Sequence, residues 1–309
     1  MEASIMLKNV VKLKNGKNFL VNLSFGVEKG SKFVIIGKNG SGKTTLLKMI
    51  SGIKIKDKGS IYINGKDTVA KDAETRLLCG YMPQTNNLDP NLTIKQNLIL
   101  HANLYALNDD LAMERILYWY DKMKCTKSMN SFPKELSFGE KRKIIFIRSI
   151  IHNPKVLLMD EPTQGLDLEN YELFWEAIND FNKDMTILFT TQNLDEAEHF
   201  SNRIAILNNG SIEMDGSLER LLETSFGLLK YRLKFNELPS QEFLNEISSY
   251  PKIFKPSLNG LELTFYSRER KDFFVFLKKA LNHDVDDFSS KRYGLKDLYL
   301  RLVKDTDHA

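Results

Sequence analysis

KFVIIGKNGSGKTTLLKMISG, residues 32–52, decides the fold. Four consecutive apolar residues, Phe33 to Ile36, read as a strand buried on both faces, because a half-exposed strand would alternate. Gly37-Lys38-Asn39-Gly40-Ser41-Gly42-Lys43-Thr44 follows at once and fits G-x-x-x-x-G-K-[ST]. The next residues, TLLKMISGI, carry apolar positions at helical spacing. A strand, a glycine-rich loop and a helix in that order form a phosphate cradle. The glycines let consecutive backbone N–H groups converge, and the helix N-terminus adds its dipole. Lys43 is placed to reach the β- and γ-phosphates, and Thr44 to offer its hydroxyl to Mg²⁺. This motif indicates a nucleoside triphosphate but not the use to which its energy is put.

Outward from this loop, strands and helices alternate. SIMLKNVVKL and NFLVNLSFGV read as strands joined at Asn15-Gly16, a hairpin signal, and Asn64-Gly65 marks another hairpin after SIYI. Residues 93–125 read as helix, with aromatics in ERILYWYDKM at one-turn spacing that belong to a core or an interface. A second helix is expected from about Ser137 to His152, then strand KVLLM, more helix, strand TILFT and a short acidic helix. The alternation implies an α/β domain on a largely parallel sheet.

Two further groups stand out. The strand 156–159 ends in Asp160-Glu161, a position where a carboxylate can hold Mg²⁺ through water and its neighbour can polarise an attacking water. Upstream, Ser137 and Glu140 form an S-x-x-E capping box. Taken alone this is a well-capped helix, but Gly139 also leaves N–H groups open toward an anion.

Bulk properties narrow the alternatives. There are 44 basic and 40 acidic residues, interspersed, so no basic face argues for nucleic acid. Two cysteines, Cys79 and Cys125, with no secretory signal ahead of them, read as reduced cytosolic thiols. No apolar run approaches the roughly 20 residues that span a bilayer. Work at a membrane would therefore go through a partner.

Residues 4–217 resemble the nucleotide-binding subunit of an ABC transporter. The resemblance is carried, in family order, by GKNGSGKTT, YMPQTNNL, LSFGEKRK, VLLMDEP and QGLD. It implies a P-loop NTPase domain over residues 1–225 with a helical subdomain at about 85–152. It implies ATP and Mg²⁺ as ligands. Gly37, Lys38, Asn39, Gly40, Ser41, Gly42, Lys43, Thr44 and Thr45 would hold the nucleotide, and Thr44, Gln84 and Asp160 the metal. Lys43, Glu161 and Gln192 would be catalytic. In the family two such domains pack head to tail, so Ser137 and Gly139 of one would cap ATP held by the other, with Asp167 between the two sites. The implied partners are a separate transmembrane permease subunit and a second ATPase subunit, identical or not. The implied location is cytoplasmic, peripheral at the inner face of the cell membrane.

The sequence departs from the family at informative places. Lys14 stands where an aromatic residue usually stacks on adenine, with Phe19 the nearest aromatic. The signature has Phe138-Gly139 in place of Gly-Gly, and Glu140 in place of a common glutamine. Gln192, in ILFTTQNLDEAEHF, takes the place of the switch histidine that contacts the γ-phosphate. Glutamine offers a donor and an acceptor but cannot carry an imidazolium charge. Losing one transition-state contact of this kind costs on the order of 10²–10³ in rate, so slow hydrolysis is expected. Asn193 and Glu196 are spaced to cap the helix that follows.

After about residue 225 the pattern resets. Residues 226–309 read as strand, helix, strand, strand, helix (269–282), strand and helix, an α+β unit in ferredoxin-like order. Its last segment, GLKDLYLRLV, resembles the closing helix of exporter-type subunits, and the unit reads as regulatory or accessory. The sequence thus points to the ATPase subunit of an exporter. The competing readings are an ATP-gated dimerisation switch with little turnover and a soluble ABC ATPase outside transport.

Overall fold

The apolar run that precedes the glycine-rich loop becomes an interior strand of a six-stranded sheet. In the computed structural model of the chain, residues 3–306 are described except 69–72, 182–183, 224–228, 251, 268–273, 275, 279 and 293. The chain divides into two compact units, Met1–Asp215 and Gly216–Ala309, so the expected boundary after residue 225 falls inside the second unit.

In the first unit, strands β1 (Ala3–Lys14), β2 (Lys17–Glu28) and β3 (Lys32–Ile36) lead to helix α1 (Lys43–Ile50). After them come β4 (Lys58–Ile63), β5 (Lys66–Asp67), α2 (Ala73–Leu77) and β6 (Cys79–Met82). Helices α3 (Ile94–Leu104), α4 (Asp109–Lys122) and α5 (Phe138–Ile150) precede β7 (Val156–Asp160). The unit finishes with α6 (Leu168–Asn179), β8 (Thr186–Thr191), α7 (Leu194–Phe200), β9 (Arg203–Asn208) and β10 (Ser211–Gly216).

The larger sheet has the order β10-β9-β3-β8-β7-β6. Strand β3 pairs in parallel with β8 and β9, β8 with β7, and β7 with β6. Every residue of β7 and β8 is buried, which is why these strands read as continuous runs with no alternation. Register then fixes the site. Ile36 pairs with Thr191, and Asp160 with Thr190. The residues that follow the tips of three adjacent parallel strands, Gly37, Glu161 and Gln192, therefore emerge along one edge.

A second sheet, order β2-β1-β4-β5, is antiparallel in its β1–β2, β1–β4 and β4–β5 pairs. Asn15 and Gly16 close its first hairpin with φ of 52° and 74°, and Asn64 and Gly65 the β4–β5 turn with 46° and 78°. Positive φ at both central residues is the demand of a type I′ turn, which Asn-Gly meets with least strain. The core lies between the sheets, where Phe25 of β2 stacks on Phe33 of β3 at 5.4 Å.

The helix expected over residues 93–125 is two helices, interrupted where Ala106 takes a φ of 57°. Thr93 and Asn108 cap α3 and α4, and Ser137 caps α5 in a reciprocal box with Glu140. Of the aromatics in ERILYWYDKM, Tyr120 is buried, Trp119 meets Phe146 edge-on and Tyr118 is exposed. The stripe is therefore core on one side only.

In the second unit, α8 (Leu218–Glu223), β11 (Leu229–Phe235) and α9 (Gln241–Ser249) precede β12 (Ile253–Asn259), β13 (Glu262–Ser267) and β14 (Val285–Arg292), and a helix, Leu295–Thr306, ends the unit. The strand order is β12-β13-β11-β14, with the β12–β13, β13–β11 and β11–β14 pairs antiparallel, the order a ferredoxin-like sandwich requires. Strand β11 alternates: Tyr231, Leu233 and Phe235 are buried with Phe243, Ile247 and Phe276, while Arg232 and Lys234 face outward. Half of the helix expected at 269–282 lies outside the described residues; 274, 276–278 and 280 are helical, and Leu281–His283 forms a short 3-10 helix.

Leu158, fully buried at the centre of β7, reports on the parallel sheet. Leu158→Ala is expected to lower the unfolding free energy by about 2–5 kcal/mol, read as a shifted midpoint in a urea titration.

Candidate functional site

The loop after β3 owes its shape to two glycines. Gly40 has φ of 81° and Gly42, the N-cap of α1, has φ of 109°. A side chain on Gly42 would also be crowded, since its Cβ would stand 2.5 Å from Leu20 Cδ2. The loop closes on itself where Ser41 N donates to Lys38 O (3.2 Å), and α1 begins with Leu46 N donating to Gly42 O (2.9 Å). Lys43, buried, donates through Nζ to Gly37 O (2.8 Å) and Lys38 O (3.2 Å), so its ammonium lies under the loop's arch.

The same ammonium stands 3.4 Å from Glu161 Oε1. Glu161 is buried and takes φ of 47°, a left-handed conformation that is uncommon for a residue with a side chain. Its N–H donates to Thr190 O (3.1 Å) and to Thr190 Oγ1 (3.2 Å). Thr190 Oγ1 in turn donates to Asp160 Oδ1 (2.8 Å). Asp160 is wholly buried, and its Oδ2 has no hydrogen-bond partner among the described residues. An orphaned, buried carboxylate oxygen beside a phosphate loop suits a hard cation or its water shell. Among the described residues no cluster of three or more His, Cys, Asp or Glu could bind a metal by itself. Asp160 and Thr44 are the side chains that would hold a cation here, as hard oxygen donors.

Gln192 completes the group. Its Nε2 donates to Asn39 Oδ1 (2.7 Å) and to Glu161 Oε1 (3.1 Å), linking loop, carboxylate and strand tip. Lys43, Asn39, Glu161 and Gln192 thus meet through direct contacts, and Asp160 joins them through Thr190.

Ser137, Gly139 and Asp167 form a second neighbourhood of the same unit, and Gln84 is joined to the Glu161 segment through Gln164. Gln84 Nε2 donates to Gln164 Oε1 (2.8 Å). Asp167 caps α6 by accepting from Asn170 N and Asn170 Nδ2 (2.9 and 2.8 Å). A Cβ on Gly139 would sit 3.0 Å from Asn170 Nδ2, and one on Gly165 3.0 Å from Phe138 Cε1. The signature segment and the loop 164–167 are therefore packed together. Lys14 Nζ stands 5.3 Å over the ring of Phe19, and Phe19 Cε1 is 3.5 Å from the Cβ position of Gly42. Phe19 consequently borders the phosphate loop, with Lys14 beside it.

One buried acid has a tertiary role that sequence reading passes over. Glu196, read as a capping residue, is 1% exposed, and its carboxylate accepts from Thr163 Oγ1 and from Trp175 Nε1 (3.2 Å). Burial pushes its carboxyl above the usual range, and hydrogen bonds from Thr163, Thr191 and Trp175 oppose the shift. It braces the residues just after Glu161 and just before Gln192. The only local signal is its place three residues after Asn193, which does not reveal those donors.

A glycine-built anion cradle, a buried lysine and two carboxylates at the ends of parallel strands define a P-loop nucleoside triphosphatase. A family model described as "ABC transporter" matches residues 20–164. The Nod factor export ATP-binding protein I of Burkholderia thailandensis is 34% identical over 226 residues, covering 73% of this chain and 74% of that protein. The mouse ABC-type organic anion transporter ABCA8B is 32% identical over 97% of this chain, which spans only 19% of that protein's length. A solved ATP-binding subunit of an ABC transporter superposes with TM-score 0.66 at 28% identity, over 71% of this chain and 92% of its own. The dimeric cassette MJ0796, in a post-hydrolysis state with ADP and Pi, gives 0.64 at 28% identity over 69% and 98%. The chain belongs to the ABC transporter family, as an ATP-binding, ATP-hydrolysing cassette. No helix among the described residues is long and apolar enough to cross a membrane.

Gly42→Ala places a side chain at a positive φ and against Leu20. It is expected to weaken binding of a fluorescent ATP analogue by about fivefold to 10²-fold, since a left-handed non-glycine residue costs of order 1–3 kcal/mol.

Proposed function

We propose that the chain is the ATPase component of an exporter, that ATP closes it head to tail on a second cassette, and that its hydrolytic step is slow. The observation that carries the last point is the pair of bonds from Gln192 Nε2, 2.7 Å to Asn39 Oδ1 and 3.1 Å to Glu161 Oε1. In this reading Glu161 orients and deprotonates the attacking water, and Lys43 holds the β- and γ-phosphates. Gln192 steadies Glu161 by one neutral donor, leaving the second carboxylate oxygen for water. A neutral amide stabilises charge growing on the γ-phosphate less than an imidazolium would. Mg²⁺, when bound, neutralises phosphate charge; Thr44, Asp160 and Gln84 are the residues assigned to hold it or its water.

Dimerisation is supported by the dimeric state of the similar MJ0796 cassette. The exposed Phe138 and Leu168, beside Ser137 and Asp167, are apolar surface suited to such a contact. Export is supported by the name of the Burkholderia relative, an export ATP-binding protein. A separate permease would engage the Gln84 segment from the cytoplasmic side of the membrane. The second reading, an ATP-gated switch with little turnover, follows if the Gln192 effect is large.

The test compares ATP hydrolysis by the wild type, Gln192→His and Glu161→Gln. Gln192→His is expected to raise the rate, by up to on the order of 10²-fold, and Glu161→Gln to abolish it without loss of ATP binding. A brisk wild-type rate that Gln192→His leaves unchanged would sink the slow-turnover reading.

A further inference from the structure

Arg142 lies on α5, five residues beyond the capping serine, and is 1% exposed. A guanidinium removed from water needs partners for its donors, and an ion pair is the usual answer. Here every bond goes to a main-chain carbonyl. Nη1 donates to Pro83 O (2.7 Å) and Gln84 O (3.0 Å). Nη2 donates to Glu161 O (3.2 Å) and Pro162 O (2.8 Å), and Nε to Pro162 O (3.2 Å). Burial lowers its pKa to about 10, so the group stays charged at neutral pH.

These carbonyls belong to two segments just beyond the end of the β6–β7 ladder, whose last paired residues are Met82 and Met159. One leaves β6 and carries Gln84, and the other leaves β7 and carries Glu161. Glu161 has φ of 47°. Its N–H is held by Thr190 and its C=O by Arg142 and by Gln164 N (3.3 Å). The peptide units that set the direction of the Glu161 side chain are thus fixed on one side by the sheet and on the other by Arg142. Gln164 is also the acceptor of the Gln84 side chain, so the two segments are bonded twice.

We propose that Arg142 is a positioning residue: its planar fork clamps the left-handed backbone of Glu161 and ties it to the Gln84 segment, so that movement of either is felt by the other. The reason it must be arginine is geometric. A fork with five N–H donors spans both pairs of carbonyls at once, whereas an ammonium at the same site reaches one pair. A displacement of Gln84 by a docked partner would then re-aim Glu161 with no change at the phosphate loop. The inference rests on the assignment of Glu161 as the water-orienting carboxylate.

The experiment uses the full chain as wild type, Arg142→Lys, Arg142→Gln and Glu161→Gln. It measures hydrolysis of bound ATP in a single turnover, Kd for a fluorescent ATP analogue, and amide hydrogen exchange. Misplacement of a catalytic group by about 1 Å costs on the order of 10²-fold, so both Arg142 variants are expected to lose tenfold to 10²-fold in rate. Their Kd should stay within about twofold of wild type, the signature of a transition-state effect. Exchange should quicken together at Gln84, Glu161 and Gln164 and stay unchanged at Ser41 and Leu46. Wild-type hydrolysis in Arg142→Lys would overturn the proposal, because charge alone would suffice. A Kd that weakens in step with the rate would also overturn it, as would exchange that quickens throughout the unit. If Glu161→Gln hydrolyses ATP normally, the assignment of Glu161 has failed instead, and the exchange pattern at Gln84, Glu161 and Gln164 still decides whether the clamp exists.

Discussion

The site depends on the parallel hydrogen bonding of β7, β8 and β3. Parallel pairing sends all three chains in one direction, so their C-terminal ends arrive at a common edge with a register of single residues. That edge can be polar because it lies where the strands stop. A few residues earlier, the same strands are wholly buried and apolar. A slip of one residue in β8 would turn Thr190 away from Asp160 and carry Gln192 away from Glu161.

A polar cluster at such an edge is stable only when its groups are satisfied. Here nearly every buried polar group has a partner, and the partners form chains: Thr190 serves both Asp160 and the Glu161 backbone, and Gln192 bridges Asn39 and Glu161. The strained φ of Glu161 persists because bonds on both sides over-determine it. Asp160 Oδ2 and Ser41 Oγ of the phosphate loop are exceptions at this site. A left-handed backbone and an unmet hydrogen-bonding oxygen thus fall on adjacent residues, Glu161 and Asp160.

The second unit stands on different physics. Its sheet has one buried face, so its central strand alternates apolar and charged residues, and Arg232 and Lys234 on the outer face are offset by Glu262, Asp286 and Asp287. Paired charges on an open face keep it soluble without making it basic, in line with the balanced composition. Among the described residues of that face, nothing resembles the phosphate cradle of the first unit.

Much of the first unit was legible because its signals are local. The strand–glycine loop–helix order, the Asn-Gly hairpins and the Ser137 capping box are each set by residues within a few positions of one another, and steric rules act at that range. Asp160-Glu161 was legible because a continuous apolar run announces where a buried strand ends. The break between α3 and α4 was not, since Ala106 is a good helix former, and its positive φ belongs to a helix-ending turn closed by Leu107 N donating to Ala102 O (3.2 Å). Glu196 read as a cap, and Arg142 passed as one more basic residue in EKRK. The sequence by itself determined the class of chemistry: a phosphate loop, a pair of carboxylates, and glutamine where a charge would be useful. Only the tertiary structure decided how those groups bear on one another, because burial and carbonyl acceptors supplied from distant segments turn an arginine or a glutamate from surface charge into a fixed point of the site.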